Sequence, residues 1–220
     1  MSNKERPILF TGPMVRALLD GSKTQTRRAI KRPLQNPGWT SYRYFGPSEN
    51  NPPCQSRAIE CGPDYPDGKE DQVMCPYGTA GDRLWVREAW SHDAQSLEQC
   101  RTAHEDAMGG GSYGPYYRAT ESAPDTLRWK PSIHMPRWAS RLTLEITSVR
   151  VESLQDISRA DAIAEGAPPS HPSINQISRE FGFADFSRSW YGQLWDQING
   201  PGSWAANPWV WVIEFKVIEK

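Results

Sequence analysis

Apolar residues recur along this chain with two periods, and the periods assign most of its elements. A two-residue alternation marks strands, and a spacing of three to four residues marks helices. Arg6 to Thr11 (RPILFT) predicts a short strand. Gly12-Pro13 then opens a helix, with proline early in the first turn where its missing N–H costs nothing. Met14, Val15, Leu18 and Leu19 form the apolar stripe, and Gly21 stops it in a C-cap position. Gly81 to Trp90 (GDRLWVREAW) reads as a strand entered through a Gly-Asp turn, with Leu84, Val86 and Trp90 on one face. Leu142, Leu144 and Ile146 alternate as another strand. Its phase slips at Thr147-Ser148 before Val149 and Val151, which predicts a bulge. Ser158 and Asp161 make a capping box for a short helix, Ser158 to Glu165, ended by Gly166. A longer helix is predicted from Asp185 to Ile198, carrying Trp190 and Trp195. Pro208 to Ile218 is the last strand, in which Trp209 and Trp211 alternate.

Two long segments between these elements show little periodicity. Residues 31–80 hold eight of the nineteen prolines, and residues 91–127 include Gly109-Gly110-Gly111. Connectors in compact domains are rarely so long. Both are therefore expected to be loop-rich insertions, the first covering one edge of the core as a lid. No repeat or linker is visible, so residues 1–220 are read as a single domain. Strands of mixed spacing with two or three helices predict an α+β, barrel-like fold.

Composition narrows the class. A chain of 220 residues is long enough for one well-buried core. Its hydrophobic share of 37% and mean hydropathy of -0.70 are polar for a globular protein but outside the disordered range. No apolar run approaches bilayer length, and no signal-peptide cleavage pattern follows the charged start, so a cytoplasmic location and no membrane partner are expected. The four cysteines, Cys54, Cys61, Cys75 and Cys100, contain no C-x-x-C pair. They are expected to be reduced thiols, with no metal and no cofactor.

A net charge of -1 argues against wrapping duplex DNA with the whole surface. The charge is uneven, however. Lys23 to Arg32 holds five cations and no acid, and Arg128 to Arg141 holds Arg128, Lys130, Arg137 and Arg141, again with no acid. One such run is ordinarily a solvated face; two in a net acidic chain point towards an anionic ligand. Trp129 and Trp138, two of ten tryptophans, lie in or beside the second run. Their indoles can stack on bases or fill a barrel.

The chain lacks a G-x-S-x-G elbow, an H-E-x-x-H helix, a P-loop and a dinucleotide fingerprint, and its four histidines are scattered. What remains is Gly21-Ser22-Lys23-Thr24-Gln25-Thr26-Arg27-Arg28, directly after a predicted helix. This stretch resembles the signature of the ASCH-domain family, relatives of the PUA-like RNA-binding barrels, whose pattern is Gly-x-Lys-x-x-Glu-x-Arg. Gly21, Lys23 and Arg28 match. Thr26 stands where the family has glutamate, and in this the chain is similar to small bacterial members that act as N4-acetylcytidine amidohydrolases, with Lys-Thr-x-Thr-x-Arg in that place. The similarity extends over residues 6–32, 81–90, 142–166 and 208–218, while the insertions match nothing in the minimal family. GDRLWVRE and SIHMPRWASR resemble phage and prophage ASCH proteins.

The resemblance implies a PUA-like β-barrel with flanking helices, and a catalytic set of Lys23, Thr26 and Glu165, the last at the matching place on a later helix. These residue types suit the chemistry. A threonine hydroxyl is a weak nucleophile that needs an adjacent base. A lysine serves as that base only if its pKa falls, which repulsion from Arg27 and Arg28 would favour. Glu165 ends a helix, where the dipole disfavours a carboxylate and suits a proton shuttle. Arg27 and Arg28 can stabilise an oxyanion, and Arg137 and Trp138 are further substrate-binding candidates. In a regular strand Lys23 and Thr26 face opposite ways, so a shared site requires irregular backbone between them. The expected function is hydrolysis of an acyl group from N4 of a cytosine nucleoside. The alternatives are a non-catalytic reader of RNA or a modified base, and, ranked below it, a ribonuclease.

Overall fold

The computed structural model describes residues 4–31, 41–45, 57–61, 72–106, 114–121, 127–168 and 186–218. The elements in chain order are β1 (Glu5–Leu9), α1 (Gly12–Leu19), β2 (Gln25–Ala29), β3 (Ser41–Phe45), β4 (Arg57–Cys61), β5 (Gln72–Met74) and β6 (Arg83–Arg87). There follow β7 (Trp90–Ser91), α2 (Leu97–Asp106), β8 (Tyr116–Tyr117), β9 (Thr143–Ser153), α3 (Arg159–Ala164), α4 (Phe186–Asn199) and β10 (Trp209–Ile218). The architecture is α+β with a mixed sheet in the order β1-β6-β9-β10-β2. No helix among the described residues is long and apolar enough to cross a membrane.

The chain divides into two compact units. The first comprises Met1–Gly21, Asp82–Glu145 and Val217–Lys220; the second comprises Ser22–Gly81 and Ile146–Lys216. In the first unit β1 runs parallel to β6, Pro7 opposite Trp85, and β6 runs antiparallel to the opening residues of β9. Alternation sends Ile8, Leu84, Val86 and Leu144 inwards. Pro13 lies at the start of α1, and Gly21, at φ +78°, turns the chain out of it. Only Val15 and Leu18 of the expected stripe are buried; Leu19 is 46% exposed. Trp90, Tyr117, Met135 and Ala139 form a second cluster, against which Trp138 packs.

In the second unit β10 pairs antiparallel with β2, and α3 and α4 supply the other half of the core. The capping box at Ser158 and Asp161 is formed as the sequence predicts. In α4 the buried positions are Ser187, Tyr191, Gly192 and Trp195, one face of a helix. Gly192 permits a close approach, since a Cβ there would lie 3.1 Å from the Trp204 ring. Leu154, Ile157, Ala162, Val210 and Val212 complete this core. The predicted phase slip in β9 is visible in its burial: Leu144 and Ile146 are buried, then Val149, while the strand stays continuous.

Within the stretches expected to be loop-rich insertions, the described residues include regular elements. Residues 41–74 carry a three-stranded antiparallel sheet, β3-β4-β5, and residues 90–117 carry α2 and the β7-β8 pair. Strands of three to five residues give too short an alternation to stand out among prolines. In α2 the sole buried side chain is Cys100, so its apolar stripe is nearly invisible. Most of the lid expected over a core edge, with Cys54 and Gly109 to Gly111, lies outside the described residues.

Leu154 is fully buried in the second unit's core. Leu154→Ala should lower unfolding stability by about 2–5 kcal/mol, transfer and cavity terms together. Leu19→Ala should stay within about 0.5 kcal/mol, as befits an exposed helix position. Urea denaturation of both variants checks the pair.

Candidate active site

The segment between α1 and β2 is held on two sides before the strand begins. Thr24 donates its N–H to Ala164 O, at the end of α3, and accepts from Phe215 N in β10, both at 2.9 Å. Those two bonds place the Lys23 side chain beside Glu165, the C-cap residue of α3. Lys23 Nζ donates to Glu165 Oε2 at 2.9 Å, to Glu165 O at 2.8 Å and to Gln25 O at 2.8 Å. An ammonium has three protons, and each has an acceptor here. Both side chains are almost wholly removed from water, at 0% and 2% exposure.

Arg27 approaches the same carboxylate from β2, its Nη1 donating to Glu165 Oε1 at 3.2 Å. Its Nε donates to Glu152 Oε1 at 2.9 Å, its Nη2 bonds the same oxygen, and Asp161 Oδ2 lies 3.4 Å away. Gln25 reaches the same side, donating to Asp161 O and Oδ1. Arg150 extends the network from β9, pairing with Glu152, Asp161 and Glu214. Three cations and four carboxylates from four elements therefore interlock.

Burial is the main cause that pulls the Lys23 pKa below its ordinary 10.5, with repulsion from Arg28 and Arg27 adding to it and Glu165 opposing. The expected repulsion is present but secondary. Tyr191, buried on α4, is held protonated far into the alkaline range by burial and by the Glu165 charge, while Arg27 and Arg28 oppose the shift. Burial likewise raises Tyr77, where Arg28 again opposes. Asp161 titrates below 3.8: its burial works against this, and hydrogen bonds from Ser158 and Gln25 and the Arg27 charge outweigh it.

Lys23, Arg27 and Glu165 are thus brought together as ion pairs. Thr26 is 2% exposed on the same strand, opposite Ile213 of β10. Strand alternation turns it away from the face that carries Gln25 and Arg27. Regular strand begins only at Gln25, so Lys23 lies in irregular backbone, as a shared site with Thr26 requires. Arg28 is half-buried and close enough to act on Lys23, Tyr77 and Tyr191. Arg137 and Trp138 belong to the first unit. Arg137 pairs with Glu5 at 2.9 Å, and Trp138 sits edge-on to Trp90 with centroids 6.0 Å apart, so its ring is packing material.

Sequence reasoning missed Glu152, Arg150, Tyr191 and the second role of Asp161. Arg150 and Glu152, two residues apart on a predicted strand, share one face, and that spacing was an available signal. Cys75 and Cys100 are buried thiols outside any disulfide, and among the described residues no cluster of histidine, cysteine and carboxylate is arranged for a metal ion. Comparison of the chain with protein-family models, curated proteins and solved structures returns no significant match.

Removing one partner of a buried pair strands the other charge and typically costs about 3–5 kcal/mol. Lys23→Met should fall in that range, and Lys23→Met with Glu165→Met should cost less than the two single changes summed. Because the folded-state pKa of Lys23 is lowered, the unfolded chain binds the extra proton between that value and 10.5. This group's contribution to stability therefore rises with pH across that interval. Denaturant titrations from pH 8 upwards should show the rise in the native protein and lose it in Lys23→Met.

Proposed function

We propose that this chain is an amidohydrolase that removes an acyl group from N4 of a cytosine nucleoside, built on a PUA-like β-barrel of the ASCH type. One observation carries the reading: a lysine and a glutamate, both stripped of water, are paired at the head of the stretch Lys23 to Arg28, which also holds the buried Thr26. A desolvated ion pair is weak evidence for stability, and a buried lysine with a lowered pKa is a mark of functional sites.

In this reading the Thr26 hydroxyl attacks the acyl carbonyl carbon while Lys23, in its neutral form, takes the proton. Arg28 stabilises the oxyanion. Glu165 delivers a proton to N4 as the carbon–nitrogen bond breaks, and the cytosine nucleoside leaves. Water then hydrolyses the acyl-threonine, releasing a carboxylate and restoring the hydroxyl. Arg27 holds Glu165 in place.

One observation favours the alternative of a non-catalytic reader of RNA or a modified base. The Lys23 ammonium already donates to three protein acceptors, which suits a fixed scaffold beneath a base cradle.

Incubation with N4-acetylcytidine and its deoxy analogue, followed by chromatography, decides between them. Turnover should appear with the native protein and vanish in Thr26→Ala, with nucleoside binding largely kept, because the lost hydroxyl acts in the transition state. Glu165→Gln should slow the reaction by about 10²–10⁴-fold and remove one limb of the pH profile. Absence of hydrolysis with any N4-acylcytosine nucleoside would leave the non-catalytic alternative.

A further inference from the structure

The face of β6 turned away from the first unit's core carries Arg83, Trp85 and Arg87, since Leu84 and Val86 between them are buried. Their neighbours in register on β1 are Glu5, Pro7 and Leu9, all exposed. On β9 they are Thr143, opposite Trp85, and Glu145, opposite Arg83. The Trp85 ring stays partly exposed, with the Arg87 guanidinium 5.3 Å and the Arg137 guanidinium 6.0 Å from its centroid. Arg137 has its carboxylate in Glu5. Arg83 and Arg87 do not: among the described residues no ion pair engages either, and the buried Nε of each has no acceptor.

Several other cations among the described residues do meet carboxylates. Lys23 and Arg27 meet Glu165, Glu152 and Asp161; Arg141 meets Glu88; Arg6 meets Asp82; Arg150 meets Glu214. A guanidinium is a planar fork suited to phosphate oxygens, and a buried N–H without an acceptor costs free energy that an incoming anion recovers. Bases stack on tryptophan rings and on guanidinium planes alike. An anion flanked by a flat π-surface is the repeating unit of a nucleic-acid strand. A duplex hides its base faces, so the strand that fits is single.

We propose that this open face, centred on Trp85 with Arg83 and Arg87, is a docking surface for single-stranded nucleic acid. Arg83 and Arg87 take phosphates, and the Trp85–Arg87 stack receives a base. Pro7 and Leu9 give the strand an apolar shoulder along β1. The surface belongs to the first unit alone and does not rest on the hydrolase reading, whose residues lie in the second unit.

The test is fluorescence anisotropy with a labelled ten-nucleotide single-stranded RNA and its DNA counterpart, titrated at several salt concentrations without any turnover readout. Arg83→Gln with Arg87→Gln should weaken binding at least tenfold at low salt. The double change should also reduce the slope of log affinity against log salt by about 1.4, the counterion release of two phosphates on a single strand. Both side chains are half-buried and outside any ion pair among the described residues, so its urea midpoint should stay close to that of the native protein. Trp85→Leu should weaken binding about tenfold with a smaller change in salt slope, as removal of a stacking ring predicts. The proposal is overturned if neither oligonucleotide binds, or if the double variant binds as tightly as the native protein. Equal affinity for a duplex of the same sequence, or for poly-glutamate, would also overturn it, the latter assigning the face to an acidic protein partner.

Discussion

The second unit hangs on one ion pair, Lys23 with Glu165. The lysine ammonium satisfies the backbone carbonyl of the residue that caps α3, the side chain of that residue and the backbone at the mouth of β2. It thereby closes a helix end that would otherwise bury unsatisfied acceptors, with a cation at the negative pole of the dipole. Arg27 repeats the grip further along the strand, and through Glu152 and Asp161 it joins β2 to β9 and to the head of the same helix. A short helix of six residues has little stability of its own. The charges at its two ends locate it, and α4 packs against it in the core of Leu154, Ile157 and Ala162.

What could be read from the sequence follows from how local each signal is. The capping box of α3, the glycine after α1 and the alternation of Leu84 and Val86 depend on residues a few positions apart, and the structure has all three. The stretch Lys23 to Arg28 announced itself as polar residues delivered by a packed helix, and Lys23, Thr26 and Arg27 are indeed nearly sealed from water. Glu165 was reached through the family resemblance, but the other partners were not legible. Glu152 and Arg150 lie more than a hundred residues away, and pairings at that distance leave no periodicity. Short strands β3 to β5 and the weakly apolar α2 failed for a different reason: each offers too few buried side chains to set a period.

Charge runs show the same lesson from the other direction. Both acid-free stretches looked open to an anion, yet much of their charge is answered from elsewhere in the chain: Lys23 and Arg27 by α3 and β9, Arg137 by Glu5, and Arg141 by a two-point grip on Glu88. Arg141 also lies 4.1 Å over the Tyr117 ring, so it serves as packing as much as charge. Arg83 and Arg87, which no ion pair engages among the described residues, stand on β6, inside a stretch that reads as an ordinary strand. Absence of acids along a sequence says little about absence of acids in space.

One further property follows from where Pro7 sits. Among the described residues β1 ends the sheet, with β6 on its inner side. Lys4 O accepts from Arg83 N and Phe10 N donates to Arg87 O, so the even-numbered residues of this parallel ladder bond inwards. Residues 5, 7 and 9 turn their amides outwards, and the middle one has no hydrogen to offer. A foreign strand zipping onto this border would meet a missing rung at its centre. The imino acid therefore protects the molecule from edge-to-edge self-association, at a position where its lack of a donor costs the native ladder nothing.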